Sequence, residues 1–220
     1  MLYYLLRGMF YTIYRVFFAL HIERYGQVPE KGPAIIISNH ASTWDPPMAA
    51  CAIRRPTHFM AKEELFRMPV LSFILPRIRV FPVRRGTADR RAIRTAMEIL
   101  QRGDLLALFP EGTRSKDGVL AGAEPGAAMF ALKSQAPVIP VALVNTHKMM
   151  KKGSFFAPVT IRVGPPVDLA PWYGQKATGP VLEQVGAQMM QALADLLPGD
   201  QKPRKHGGKQ EGDAVGSHSG

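Results

Sequence analysis

Short runs of aliphatic and β-branched residues alternate with longer amphipathic stretches along the middle of the chain, and this alternation predicts an α/β domain. Strands are expected at residues 34–38, 57–61, 78–83, 105–109, 138–143 and 160–163. Residues 89–101 read as a helix. Ala92, Ile93, Ala96, Met97 and Leu100 share one face, arginines take the other, and Gly103 ends it. A second helix is expected at residues 180–197, with a proline near its start and a stripe of Leu182, Val185, Met189, Leu193 and Leu196.

The two ends depart from this pattern. The first 25 residues are apolar and aromatic, with five aromatic rings from Tyr3 to Tyr14 and then Phe17 and Phe18. Arg7 and Arg15 interrupt any uniform spanning segment, and no small-residue cleavage site follows an apolar core. Interleaved rings and arginines suit the headgroup region of a bilayer, with the arginines snorkelling to its polar side, so a helix lying in one leaflet is expected. Docking on the protein's own core is the alternative. From Pro198 onward only one aliphatic side chain is larger than alanine, a composition that cannot offset the entropy of ordering. The expected organisation is therefore a membrane-associating helix at 1–25, one domain at 26–197 and a disordered tail at 198–220.

Composition adds two constraints. One cysteine, Cys51, rules out an internal disulfide and any cysteine-rich metal cluster. Of the net charge of +11, +8 falls between Arg54 and Arg94, where eleven basic residues face three acids. That field attracts anionic head groups, phosphorylated small molecules, acidic carriers or nucleic acid. Helix-turn-helix patterning, zinc spacing and an aromatic-studded strand face are all missing, and the stretch is interleaved with apolar runs expected in the core, such as VLSFIL, which argues against nucleic acid.

Chemistry first shows in AIIISNHASTWDPPMAA. His40 sits at a strand exit, and Asp45 stands immediately before Pro46 and Pro47, a helix-start signature with aspartate as N-cap. Across that short loop a carboxylate can hold one imidazole nitrogen and leave the other as a base. Spacing alone serves a cap and a turn residue equally well, and no second histidine lies at metal-ligand spacing. Further on, the strand at 105–109 runs into Pro110, Glu111, Gly112, Thr113, Arg114 and Ser115. There a glycine permits close backbone approach, and Thr113 and Arg114 can donate to phosphate oxygens.

Together these segments resemble the glycerolipid acyltransferases, a family that includes the bacterial 1-acylglycerol-3-phosphate acyltransferases. Asn39-His40, four residues and Asp45 match the first block of that family, and Phe109 to Ser115 its third. Val80-Phe81-Pro82-Val83-Arg84-Arg85 looks like the second block, and Val138-Ile139-Pro140-Val141-Ala142 like the fourth. The resemblance implies a single α/β domain with a mixed, largely parallel sheet flanked by helices, of the glycerol-3-phosphate acyltransferase type, with no metal and no cofactor. His40 would act as base and Asp45 would orient it. Glu111, Gly112, Thr113 and Arg114 would hold the glycerol phosphate, with Arg84 and Lys62 adding positive charge.

The activity implied is transfer of a fatty acyl group from acyl carrier protein or coenzyme A to the sn-2 hydroxyl of 1-acylglycerol-3-phosphate, giving phosphatidic acid. It would take place at the cytoplasmic face of the cell membrane. No nucleophile is evident for a covalent route, and Cys51 reads as a small core residue. Many relatives carry a Phe-Lys-Lys/Arg-Gly run ahead of the fourth block where this chain has Ala123-Glu124-Pro125-Gly126, with the glycine kept and the basic pair absent. That departure keeps other lysolipid acceptors open, as does the reading of an inactive lipid-binding protein.

Overall fold

Four-residue aliphatic segments that alternate in sequence with helices are what a sheet covered on both faces requires. β2 (Ala34–Ile37) and β5 (Leu105–Leu108) are such segments, buried along their whole length, and the longer β6 (Val138–Val144) is buried throughout as well. A computed structural model describes residues 1–203 apart from 85, 87, 88, 152 and 155. In it, β1 (His21–Arg24), β3 (Thr57–Lys62), β4 (Val80–Val83) and β7 (Thr160–Val163) complete a seven-stranded sheet of order β1-β7-β6-β2-β5-β3-β4. Every pairing is parallel except β6 with β7. The expected mixed, largely parallel sheet is therefore present. β1 escaped notice because its HIER sequence carries no apolar alternation, and its pairing with β7 is set by register alone (His21↔Thr160).

Successive side chains on a strand point to opposite faces, so the sheet divides the core in two. Ile35, Ile37, Leu106 and Leu108 pack with α4 (Arg90–Gln101), α5 (Pro125–Ser134) and α6 (Gly179–Leu196). Ala34, Ile36, Leu105 and Ala107 pack with α1 (Leu2–Phe17) and α2 (Asp45–Ala52). Asp89 caps α4 as its sequence suggests, accepting from the N–H groups of Arg91 and Ala92. Cys51 is a buried member of the α2 layer, and burial pushes its thiol up to about 12, so no thiolate forms there near neutral pH.

Three features differ from expectation. Residues 198–203 are ordered: Gln201 is buried, its carbonyl accepts from Leu120 N–H, and its amide exchanges bonds with Asn145. The first six residues of the expected tail are therefore folded, and the rest of it, residues 204–220, lies outside the described residues. Arg7 donates to the carbonyls of Ala50 and Cys51, and Arg15 to that of Leu20. Ala50 O also accepts from the N–H of Ile53 at the helix end, and the Arg7 guanidinium adds to the bonding of these last-turn carbonyls rather than reaching outward. Finally, VLSFIL is not a core run. It forms α3 (Pro69–Arg77), which has no buried residue.

The parallel strands β2, β3, β4, β5 and β6 end on one edge of the sheet, the edge at which open α/β sheets bind ligands. His40, Glu111, Lys62 and Arg84 all follow strand ends there.

Candidate active site

His40 stands three residues beyond the end of β2, directly after Asn39. The Asn39 amide donates to Leu143 O at 2.9 Å and accepts from Leu143 N–H at 2.7 Å, so a side chain continues the β2–β6 ladder past Pro140. The main chain of His40 is fixed on both sides. Its N–H donates to Glu111 Oε1 at 2.7 Å, and its carbonyl accepts from Ser115 N–H at 2.7 Å. The ring stacks on Phe109, with centroids 4.2 Å apart and planes 24° from parallel.

Nδ1 of His40 lies 2.9 Å from Asp45 Oδ2, and the same oxygen accepts from the N–H groups of Ala41 and Ser42 at 2.6 Å each. Asp45 is fully buried. Asp45 Oδ2 accepts from both backbone N–H groups, so Nδ1 facing the same oxygen is placed as a third donor, which leaves Nε2 to present its lone pair. Asp45 is not the N-cap of α2, as its Asp-Pro-Pro setting suggests. Trp44 precedes the helix as N-cap; Asp45 is its first residue, and its carboxylate reaches back into the loop. The bonds to the histidine loop all fall on Oδ2, while Oδ1 is buried with no hydrogen-bond partner among the described residues.

The turn after β5 supplies the opposite wall. Gly112 adopts φ +67° and a Cβ there would stand 2.9 Å from Glu124 Cγ, so backbone conformation and space both demand glycine. Gly118 has φ +81°, and its Cβ position coincides with the ring of His147. Between them lies an open cleft of about 410 Å³ whose wall includes Thr113, Arg114, Ser115 and Lys116. Arg114 is exposed and donates from Nη1 to Thr43 Oγ1 at 2.6 Å, which ties this turn to the loop holding the dyad.

Not every expected residue takes its expected part. Glu111 is buried, and while Oε1 accepts from His40, Oε2 accepts from Ala121 N–H at 3.0 Å. Both oxygens accept from backbone donors, so Glu111 braces the two loops. Burial raises its carboxyl above the usual range, against the lowering effect of those two bonds. Arg84 pairs with Glu63 at 2.7 Å in an exposed setting. Lys62 is exposed at the end of β3. With strands about 4.8 Å apart, β3 lies roughly 10 Å and β4 roughly 14 Å across the edge from β2. Those two cations therefore flank the dyad at a distance instead of adjoining it.

Sequence reasoning did not reach Thr43, Phe109 as the stacking partner, or the Asn39 bridge. Phe109 and Thr43 carried a signal only through position, one beside the turn and one inside the His40–Asp45 interval. Trp44 is half-exposed, edge-on to Phe10, with its carbonyl accepting from Tyr14 Oη. Met149 is core and Met150 exposed.

With this geometry in hand, similarity to known proteins is informative. The solved structure of the 1-acyl-sn-glycerophosphate (LPA) acyltransferase PlsC from Thermotoga maritima superposes with a TM-score of 0.68 at 25% identity, covering 88% of this chain and 78% of that one. The chloroplastic 1-acyl-sn-glycerol-3-phosphate acyltransferase LPAT1 of Arabidopsis thaliana is 33% identical over 63% of this chain and 39% of its own length. The 1-acyl-sn-glycerol-3-phosphate acyltransferase of Limnanthes douglasii is 29% identical over 84% of this chain and 66% of its own. That of Borreliella burgdorferi is 30% identical over 64% and 59%. The chain thus spans between about two fifths and two thirds of these curated relatives. The family model described as Acyltransferase matches residues 20–144, more than half of the sequence, and the chain belongs to that acyltransferase family.

Proposed function

We propose that this chain transfers a fatty acyl group from an acyl carrier protein or coenzyme A thioester to the sn-2 hydroxyl of 1-acylglycerol-3-phosphate, giving phosphatidic acid. The observation that carries this reading is the His40–Asp45 contact of 2.9 Å in a loop bonded directly to the Arg114 turn. Nε2 takes the proton from the acceptor hydroxyl as its oxygen attacks the thioester carbonyl. The tetrahedral adduct then collapses, the carbon–sulfur bond breaks, and the departing thiolate recovers the proton from the imidazolium. Asp45 stabilises the imidazolium between those events. Cys51 is buried and held protonated, which supports direct transfer without an acyl-enzyme.

Arg114, Thr113 and the turn's backbone would receive the phosphate, since a planar guanidinium suits a phosphomonoester. Thr43 would be its resting partner, exchanged for phosphate when the acceptor enters. The apolar N-terminal helix supports a site of action on the cytoplasmic face of the cell membrane, where both the acceptor and phosphatidic acid reside. A different lysolipid head group is the second reading, and Glu124 favours it: an acid packs against Gly112 in the region where relatives carry cations.

The test is an acyl-transfer assay of purified protein crossing lysophosphatidic acid and other lysolipids with both donors. Transfer to lysophosphatidic acid is expected to dominate, and His40→Ala is expected to lower turnover by at least about a hundredfold with the fold intact. Near-normal transfer in that variant would remove the mechanism. Preference for a lysolipid lacking the phosphomonoester would replace the acceptor.

A further inference from the structure

The mechanism leaves α3 unused, and its surface is unusual for a helix that packs on a sheet. Residues Pro69–Arg77 read PVLSFILPR, yet none is buried, and Val70 and Phe73 are 68% and 59% exposed. Met68, just before the helix, is exposed as well. Contiguous apolar surface of this kind on a soluble face marks a contact site.

Its position follows from connectivity. The sheet runs β2-β5-β3-β4, so the crossovers β2–α2–β3 and β3–α3–β4 step in one direction. Parallel crossovers are right-handed, which puts α3 on the face that already carries α2 and, outside it, α1. α1 is apolar on both sides. Tyr3 and Tyr14 are buried on the α2 side, while Leu5 and Val16 are 66% and 68% exposed on the other. α1 runs antiparallel to α2, with Tyr14 bonded to Trp44 and Arg7 to the far end of α2, so its C-terminal end lies at the catalytic edge. α3 begins just beyond Lys62, at the same edge. The helix is also bracketed by cations. Arg67 precedes it, and Arg77 closes it with its guanidinium 3.5 Å over the Phe73 ring. An aromatic ring capped by arginine on an apolar helix suits the level where acyl chains meet anionic head groups.

We infer that the exposed face of α3, centred on Val70 and Phe73, is a second bilayer-docking element that seats on an anionic phospholipid surface beside α1. The inference rests on the membrane-active reading above and extends it. Two helices on one face, both reaching the catalytic edge, fix the orientation of the molecule, so that the cleft opens toward the leaflet that holds a lysolipid acceptor. One helix alone would leave the molecule free to roll about the α1 axis.

The experiment uses the full chain and vesicles of phosphatidylcholine with and without phosphatidylglycerol. The double variant Val70→Ser/Phe73→Ser removes the apolar face and touches no catalytic or phosphate-binding group. It is expected to keep its thermal midpoint, lose at least about tenfold in partition onto phosphatidylglycerol-containing vesicles, and turn over vesicle-embedded acceptor correspondingly less. Turnover of a short-chain acceptor dispersed in water should stay within about twofold of the parent. Unchanged partition onto anionic vesicles would overturn the proposal. So would equal binding of the parent to vesicles with and without phosphatidylglycerol, or a self-association that the double variant abolishes while vesicle binding stays intact. If neither acceptor is turned over by the parent but partition still responds to the variant, the acyltransferase reading fails and the docking surface stands.

Discussion

The two halves of the catalytic sheet edge are built in opposite ways. On the β2–β5 side, His40, Asp45 and Glu111 are buried and hold one another through backbone donors, with Ser115 closing the loop from the third block. On the β3–β4 side, Lys62 and Arg84 are exposed, and Arg84 is paired with Glu63, which also meets Arg91 at 3.4 Å. Proton transfer tolerates little misplacement, so the base sits in a lattice whose bonds leave it one orientation. Attraction of an anion is long-ranged and forgiving, so mobile side chains on a solvated rim suffice. Substitutions on the first side should therefore change rate and stability together, whereas those on the second should change affinity alone.

The largest effect is expected at Asp45. Asp45→Asn keeps the shape but offers an amide where three donors converge, so the imidazole loses its fixed tautomer. Turnover should fall by about a hundredfold or more with KM little changed, measured by steady-state transfer. A fall confined to KM would mean that Asp45 holds substrate rather than His40. Glu111→Gln comes next. A carboxamide has one oxygen, and its amino group would face the N–H of either His40 or Ala121, so a loss on the order of 1–3 kcal/mol is expected in chemical denaturation. Because burial raises the Glu111 carboxyl above 4.5, the folded chain holds that proton more tightly than the unfolded one. Its contribution to stability is complete below that value and declines as pH rises past it. Glu111→Gln should flatten that slope in thermal midpoints taken across the acid range, and an unchanged slope would show that Glu111 does not titrate there.

The same contrast explains what could be read from the sequence. β2, β5, β6 and β7 were legible because aliphatic runs bounded by turn residues have few alternatives, and the His40–Asp45 pairing because five residues span one short loop. The bracing part of Glu111 was not legible because a motif shows which residues gather, not which atoms point inward. Its carboxylate is turned toward backbone N–H groups contributed by residues 71 and ten positions away. α3 was misread for a related reason. Apolar content predicts burial only if a covering layer exists, and the sheet edge at β4 provides none.

Arg114 lies between the two regimes, exposed but bonded to the dyad loop through Thr43. Arg114→Ala should raise KM for a phosphorylated acceptor about tenfold or more, the scale of a lost bond to a charged group, with little change for the thioester donor. Equal effects on both substrates would deny it a head-group role.

Arg84→Ala is the mildest and most discriminating case. In the resemblance that first singled it out, Arg84 lines the head-group pocket, which would make its loss comparable to that of Arg114. Its guanidinium instead meets Glu63 in two contacts, Nε to Oε2 at 2.7 Å and Nη2 to Oε1 at 3.4 Å, three strands from β2. An exposed pair of this kind contributes little to stability, and its field is screened within about 8–10 Å at physiological salt. Arg84→Ala should therefore change KM for lysophosphatidic acid by less than about threefold, and that small change should vanish as salt is raised. Glu63→Gln supplies the converse test, since freeing Arg84 and Arg91 from their shared partner should lower that KM at low salt. A tenfold rise on Arg84→Ala that persists in high salt would mean that Arg84 leaves Glu63 to contact the phosphate, and the division of the catalytic edge into a rigid reacting half and a solvated attracting half would no longer hold.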